Sequence, residues 1–260
     1  MKNKIYKLSE KFWNIRGSFK LNGLIEIGTH CSLVKVSNSE FILLDIIELD
    51  DKTLKKVYNL TDNGKFVKSI INLHPFHTVY APKMIQYFPN ANFYGTSRHK
   101  KKLKNINWET RTSEELVKNN PYANSIDLAI PEGVDFISEN ENVHFSSILA
   151  YHHQSKTIHV DDTLIYIKLP KLIRLFGIKE YLGFHPTLSK ALIDQVDSGD
   201  KFRQWVDELA EKWSETQNIC AAHSETKIAQ SKNFNFKETL KKALAKTEST
   251  LTKHKDSFKD

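Results

Sequence analysis

A short apolar run that ends at two histidines constrains the fold of this chain more than any other feature of its sequence. The run is Ile70-Ile71-Asn72-Leu73, and His74-Pro75-Phe76-His77 follows it directly. Apolar runs of this length are typical of buried strands, and imidazole is a common ligand of transition metals. A strand end that brings two imidazoles to one point predicts the beginning of a metal site.

The rest of the chain alternates between strand and helix patterns. Residues 12–45 have the pattern of a β meander, with a turn at Asn22-Gly23 and a last strand that ends at Asp45. Further strands are predicted at 67–73, 93–96, 135–137, 143–151, 157–160 and 219–222, and helices at 50–62, 82–88, 112–119, 187–214 and 236–245. This order predicts an α/β (α+β) fold in a single domain, residues 1–260, with a polar tail at 247–260 that frays.

The composition limits the partners. The two cysteines indicate no disulfide framework. No apolar stretch is long enough to span a membrane and no signal core follows the first residues, so we expect a cytoplasmic protein. The formal charge of +7 leaves nucleic acid open as a partner. Because lysine far outnumbers arginine, the usual bidentate reader of phosphates and bases, we favour a composition that only keeps the protein in solution.

The segment 167–184 mixes basic and apolar residues, among them Lys168, Lys171, Arg174 and Lys179. A helix on a membrane surface has this composition. A lid or a packed loop beside the site is the commoner structure for such a segment, and we favour it.

Three later features could complete the metal site. They are His144, Asp162 in Val160-Asp161-Asp162, and His223 in Cys220-Ala221-Ala222-His223, and each lies at or near the end of a predicted strand. Loops at one end of a sheet are where sites are built, because the scaffold holds them rigid. A mixed histidine and carboxylate set suits zinc, iron or manganese.

The other histidines and carboxylates either lie outside the metal site or could support it. We interpret His99, His185 and His254 as polar residues without a role in the site. His30 and Asp45 could lie near it, and His159 could orient Asp162. Asp161 could also replace Asp162, since neighbouring strand residues face opposite ways.

The order of these motifs resembles the metallo-β-lactamase fold superfamily over residues 12–230. Its first strands end in an aspartate, as Leu43-Leu44-Asp45 does, and His74 to His77 stand where that family carries Thr-His-x-His-x-Asp-His. His144 has the place of its third-position histidine. Val160-Asp161-Asp162 is similar to its Thr-Gly-Asp, whose aspartate bridges two metals, and Ala221-Ala222-His223-Ser224 is similar to its Gly-His-Gly.

The resemblance implies a four-layer αβ/βα sandwich and a metal-dependent hydrolase. Water activated by the metal would attack an ester, thioester, amide or phosphoester of a small molecule whose identity the resemblance leaves open. The implied ligands are His74, His77, His144 and His223, with Asp162 as ligand or base, and the implied ion is zinc or iron.

The chain departs from the family motif after His74. Phe76, Thr78 and Val79 stand where the family has a histidine, an aspartate and a histidine. We therefore expect one ion at most, and His77 can replace a lost ligand only if the loop is reshaped. Two alternatives stay open: a binding or scaffolding protein that has lost catalysis, and a nuclease or RNA-processing enzyme.

Overall fold

The computed structural model describes residues 2–21, 24–168, 180–223, 226–228 and 234–259. Its strands are β1 (Lys4–Ser9), β2 (Phe12–Gly17), β3 (Lys20–Leu21), β4 (Ile25–Glu26), β5 (Thr29–Ser37), β6 (Glu40–Leu44), β7 (Val67–Ile71), β8 (Asn92–Tyr94), β9 (Ile126–Ala129), β10 (Leu149–His152), β11 (Thr157–Val160), β12 (Leu164–Lys168), β13 (Glu180–Phe184), β14 (Asn218–Ala221) and β15 (Thr226–Ile228). Its α-helices are α1 (Asp51–Leu60), α2 (Lys83–Tyr87), α3 (Ser97–Lys102), α4 (Leu188–Ala191), α5 (Ser198–Lys212), α6 (Phe236–Ala245) and α7 (Glu248–Asp256), and Glu115–Val117 form a 3₁₀ turn.

Two mixed sheets form the centre of the described structure. The first has the strand order β1-β2-β5-β6-β7-β8, antiparallel as far as β6 and parallel from β6 to β8. The second has the order β15-β14-β11-β10-β9, in which β11 and β14 are parallel. Two hairpins, β3–β4 and β12–β13, form ribbons of their own.

Three apolar clusters show how the sheets and helices are layered. In the first cluster, one face of the first sheet packs on α1 and α2 through Val57 and Met84. The second cluster joins the two sheets, with Val34 from one side and Ala150 from the other. The third places the far face of the second sheet against α5 and α6, for instance at Phe202. The order helix, sheet, sheet, helix confirms the predicted four-layer αβ/βα sandwich.

Side-chain alternation along the strands makes one end of the inter-sheet layer polar. In β5, Cys31 and Leu33 belong to the first cluster, which packs on α1 and α2, so His30 and Ser32 face the other sheet. In β11, Ile158 and Val160 face the helices, so His159 faces back toward Ser32, with 2.9 Å between Oγ and Nδ1. The interior between the sheets therefore carries buried polar side chains next to the ends of β7, β11 and β14.

Several helix and strand predictions are confirmed, and others differ, among them the helix predicted at 112–119, where the structure has only the 3₁₀ turn Glu115–Val117. The strand 157–160 and the helix 236–245 have the predicted bounds, and Asp50 caps α1. Residues 135–137 form no strand and 143–151 form one only from Leu149, whereas β1 and β9 were missed. Strand β9 alternates buried and half-buried residues, which is a recognisable signal.

The polar C-terminal segment contains a helix that the sequence analysis did not predict. Residues Glu248–Asp256 form α7, and its Leu251 is fully buried. Arg203 of α5 binds Glu248 at 2.8 Å, and Lys255 binds Asp200 at 2.7 Å. A helix with a single buried apolar side chain shows almost no apolar periodicity, which is why the sequence pattern does not reveal it.

The basic segment 167–184 is described only at its two ends. Those ends pair as β12 and β13, with Leu164 opposite Phe184. Residues 169–179, where a lid or a membrane-surface helix was expected, lie outside the described residues. None of the helices described is long and apolar enough to cross a membrane.

Candidate metal centre

The end of β7 places His74 by hydrogen bonds on both sides of the chain. Asn72 N–H donates to the carbonyl of Tyr94 at 3.0 Å, and Leu73 N–H donates to Oδ1 of Asp45 at 2.8 Å. The chain then turns tightly, since His77 N–H donates to the carbonyl of His74 at 3.1 Å. The turn stacks the two imidazoles, with ring centroids 4.1 Å apart. Both predicted histidines therefore lie at this edge of the sandwich.

The parallel pairing of β11 with β14 brings in two more of the predicted residues. Val160 lies opposite Ala221, so the residues that follow, Asp162 and His223, leave the sheet at the same end. Nε2 of His223 lies 2.8 Å from Oδ1 of Asp162. Nδ1 of His223 lies 3.0 Å from the carbonyl oxygen of Gly28, which only accepts, so Nδ1 carries a proton and Nε2 faces the carboxylate.

All five predicted site residues converge around Asp162. Two groups of three have ligand atoms within 4.8 Å of one another: His74, His144 and Asp162 form one, and His77, Asp162 and His223 form the other. Nε2 of His74 and Nε2 of His77 lie 3.1 and 3.6 Å from Oδ2 of Asp162. His144 donates its Nε2 proton to the carbonyl of Glu141 at 2.7 Å, which leaves Nδ1 with its lone pair.

Unsatisfied buried atoms show that this set fits a divalent ion. Nε2 of His74 and Oδ1 of Asp162 are buried and make no well-aligned hydrogen bond, although each faces an ion-pair partner, at 3.1 and 2.8 Å, and imperfect pairing of buried polar atoms is costly. Ligand atoms at about 2.1 Å from a tetrahedral zinc ion are roughly 3.4 Å apart, which is the range seen between the histidines and Asp162. One adjustment is required, because Nδ1 of His74 accepts a hydrogen bond from Phe76 N–H at 3.1 Å. Nε2 therefore carries the proton of the neutral ring. An ion at Nε2 would displace that proton to Nδ1 and so break the hydrogen bond from Phe76.

The electrostatics set the charge of each group. Burial and the neighbouring His77 lower the pKa of His74 to about 3, so its ring is neutral. Burial would raise the pKa of Asp162, but His74 and His223 outweigh it and hold that pKa well below its usual range. Burial is likewise outweighed at His77, where Asp161 and Asp162 raise the pKa of the imidazole well above its usual value. The site therefore contains an ionised carboxylate, and His77 must give up a proton before it can bind a metal.

A second polar cluster lies deeper between the sheets. Nε2 of His159 lies 2.9 Å from Oδ2 of Asp45, so His159 orients Asp45. The sequence had indicated Asp162 instead. Nε2 of His30 lies 3.4 Å from Oδ1 of Asp161. The rings of His30 and His159 are 4.0 Å apart and 7° from parallel. Since a ring lone pair lies in the ring plane, these two rings cannot direct lone pairs at one ion.

A pocket of about 130 Å³ opens onto the site. Its polar wall includes His30, Asp45, His77, His144, Asp162 and His223, and its apolar wall is made by Phe19, Ile27, Ile46, Phe76, Val79 and Tyr80. Sequence reasoning missed this apolar wall. The signal was present, because Phe76 and Val79 are apolar residues at positions of the motif where histidines were expected.

Solved structures share this architecture. The metallo-β-lactamase DIM-1 superposes with a TM-score of 0.59, at 13% identity over 96% of this chain and 98% of that one. The chain has the metallo-β-lactamase fold. FIM-1 from Pseudomonas aeruginosa, solved in a mono-zinc form, gives 0.57 at 10% identity over 95% and 96% of the two chains. A metallo-β-lactamase from Erythrobacter litoralis gives 0.58 at 12% identity over 93% and 96%. The sequence itself matches no protein-family model and no curated protein.

Proposed function

We propose that this protein is a metal-dependent hydrolase in which each of the two groups of ligand atoms around Asp162 would hold a metal ion, whereas the sequence alone had predicted one ion at most. The observation that carries the proposal is the convergence of four histidines on one buried, ionised carboxylate. The stacking of His74 on His77 supports two positions rather than one. Nearly parallel rings point their lone pairs to different places, and each of the two rings belongs to a different group. His77 thus provides a ligand that the motif after His74 had lost.

The residues of the pocket would hold the ion. A divalent ion of this class polarises a carbonyl or phosphoryl oxygen and lowers the pKa of water toward about 7. Asp162 and Asp45 are the two carboxylates that line the pocket. The oxygens of Asp162 face His74, His77 and His223, and those of Asp45 accept from His159 and from Leu73 N–H. We therefore assign Asp162 as a metal ligand rather than a base.

The pocket wall favours an uncharged substrate. Among the described residues that line it there is no lysine or arginine, and Phe76 and Val79 belong to its apolar wall. Anionic groups are commonly bound by arginine or lysine. We therefore favour an ester, thioester or amide with an apolar group over a phosphoester or a nucleic acid. The cytoplasmic location stays a prediction.

The test is metal binding followed by turnover. Protein stripped with a chelator is titrated with Zn²⁺ and Co²⁺ and assayed on aryl esters, thioesters, anilides and a phosphodiester. We expect bound metal and metal-dependent ester or amide turnover that Asp162→Asn abolishes. Asp127→Asn is the matched control, because Asp127 also pairs with a histidine, His153 at 3.1 Å, away from the site.

Two outcomes would contradict the proposal. Less than about a tenth of an equivalent of metal after loading would remove its basis, given the usual affinity of such sites. Metal binding without turnover of any substrate would favour the alternative, a binding or scaffolding protein with this fold.

A further inference from the structure

Asp161 is a buried carboxylate that the proposed metal ligands do not explain. Its side chain is 1% exposed, and neither of its oxygens has a hydrogen-bond partner. Oδ1 faces two imidazoles: Nε2 of His30 at 3.4 Å and Nδ1 of His77 at 3.6 Å. A buried carboxylate is costly unless charges or donors face it, so the two rings account for its position.

The two nitrogens of His77 face two neighbouring aspartates. Nδ1 lies 3.6 Å from Asp161 and Nε2 lies 3.6 Å from Asp162. A carboxylate only accepts hydrogen bonds, so Asp161 favours a proton on Nδ1. That proton leaves the lone pair of the neutral ring on Nε2, where it faces Asp162. Histidines that bind metals are commonly oriented in this way by a carboxylate at the other nitrogen.

Hydrogen bonds of Asn14 orient the His30 ring that faces Asp161. The amide nitrogen of Asn14 donates to the carbonyl of Cys31 at 3.3 Å, which fixes the orientation of the amide. The same nitrogen lies 3.1 Å from Nδ1 of His30, so Nδ1 accepts and Nε2 of His30 carries the proton toward Asp161. Along the contacts from Asn14 through His30 and Asp161 to His77, each donor therefore faces an acceptor.

We propose that Asp161 is a positioning residue that holds the Nδ1 proton of His77 and so makes Nε2 a metal ligand beside Asp162. The proposal rests on the proposed function, since it requires a metal position at His77, Asp162 and His223. It does not require Asp161 to touch the metal or the substrate.

The experiment is a Co²⁺ titration of Asp161→Asn, followed by visible absorption. Wild-type protein binds two equivalents, and the variant binds Co²⁺ at the His77 position 10- to 100-fold more weakly, with less than about threefold change at the His74 position. The double variant with His77→Ala is no weaker than His77→Ala alone, because the two residues act through one contact. Asp127→Asn leaves both affinities unchanged.

A second measurement keeps the test decisive if Asp161→Asn does not fold. In Zn²⁺-loaded, ¹⁵N-labelled wild-type protein, long-range ¹H–¹⁵N correlations report which ring nitrogen of His77 carries the proton. A proton on Nδ1 and metal on Nε2 supports the proposal, and the reverse overturns it. Wild-type protein that binds no Co²⁺ overturns the proposed function itself, whereas unchanged affinity in a folded Asp161→Asn overturns only the role of Asp161.

Discussion

Nε2 of His223 lies 2.8 Å from Oδ1 of Asp162, although the two residues are far apart in sequence. The contact follows from the parallel register of β11 and β14, which ends both strands at the same edge. The proposed site thus depends on a pairing between strands that, in the described part of the chain, are separated by two hairpin strands and two helices.

The first prediction concerns this contact. We expect His223→Ala to remove one of two metal equivalents and to lower ester turnover about 100-fold or more. Removing a metal ligand should lower activity more than removing a residue that only orients a ligand, which typically costs about 10- to 100-fold. Metal content and kcat/KM measured on the same preparation check both effects. The control is His254→Ala, which changes a histidine of α7 that hydrogen-bonds the Gln195 carbonyl outside the site. Equal metal content in His223→Ala and wild type would contradict the assignment.

The positions of three predicted ligands could be read from the sequence because each follows a strand end, whereas His144 lies in the loop before β10. Apolar runs mark the ends of β7, β11 and β14, and chain order then brings His74, Asp162 and His223 to one edge. The orientation of His77 could not be predicted, since it depends on the turn that stacks it on His74. Nor could the role of Asp161, because its contacts with His30 and His77 come from two other strands or loops.

The second prediction concerns Asp45, which joins β6 to the loop that carries His74. Its Oδ2 accepts from His159 and its Oδ1 from Leu73 N–H, and it is almost fully buried. Asp45→Asn keeps the shape but turns an NH₂ group toward one of those donors, so we expect a loss of about 1–3 kcal/mol in the free energy of unfolding. Urea unfolding of the metal-free protein measures it.

Asp62→Asn is the matched control for that substitution. Asp45 and Asp62 both have a positive φ, 58° and 48°, which asparagine tolerates. The side chain of Asp62 is 44% exposed and pairs with Lys65 in the same turn. We expect its change to stay within about 0.5 kcal/mol. Equal effects of the two substitutions would show that the backbone, and not the hydrogen bonds of Asp45, determines the loss.

The layered fold was easier to predict than the edge strand β1. The meander before Asp45 and the helices α1 and α6 show strong periodicity, and long periodic segments report burial directly. Strand β1 at the sheet edge buries none of its residues fully. Its extended conformation therefore depends on pairing with β2, and the local order of apolar and polar residues does not reveal such a pairing.

The third prediction concerns the packing of α7 on α5. Leu251 is fully buried, whereas the ion pairs of Asp200 and Glu248 are half exposed and contribute little. We expect Leu251→Ala to lower the free energy of unfolding by about 2–4 kcal/mol. The control is Leu60→Ala at the end of α1, where the side chain is 39% exposed and about 0.5 kcal/mol is expected. Equal midpoints in urea for Leu251→Ala and wild type would show that α7 does not contribute to the cooperative fold.

The last prediction concerns the pH dependence of stability. His152 is almost fully buried between the sheets, and burial, with smaller effects of His153 and Lys11, lowers its pKa to about 4. Below the ordinary value of 6.5 the unfolded chain takes up a proton that the folded chain does not bind until about pH 4. The unfolded state binds more protons in this window, so the free energy of unfolding falls as the pH falls.

We expect His152→Gln to remove about 1–2 kcal/mol of the difference in unfolding free energy between pH 7 and pH 5. Comparing the two pH values within each variant cancels any loss of packing from the substitution itself. Ser155→Ala removes the hydroxyl that lies 2.7 Å from Nδ1 of His152 but keeps the imidazole, so its pH dependence should match that of wild type. Urea unfolding with a chelator present measures all three proteins. A pH dependence in His152→Gln equal to that of wild type would mean that other buried groups account for the acid sensitivity of the fold.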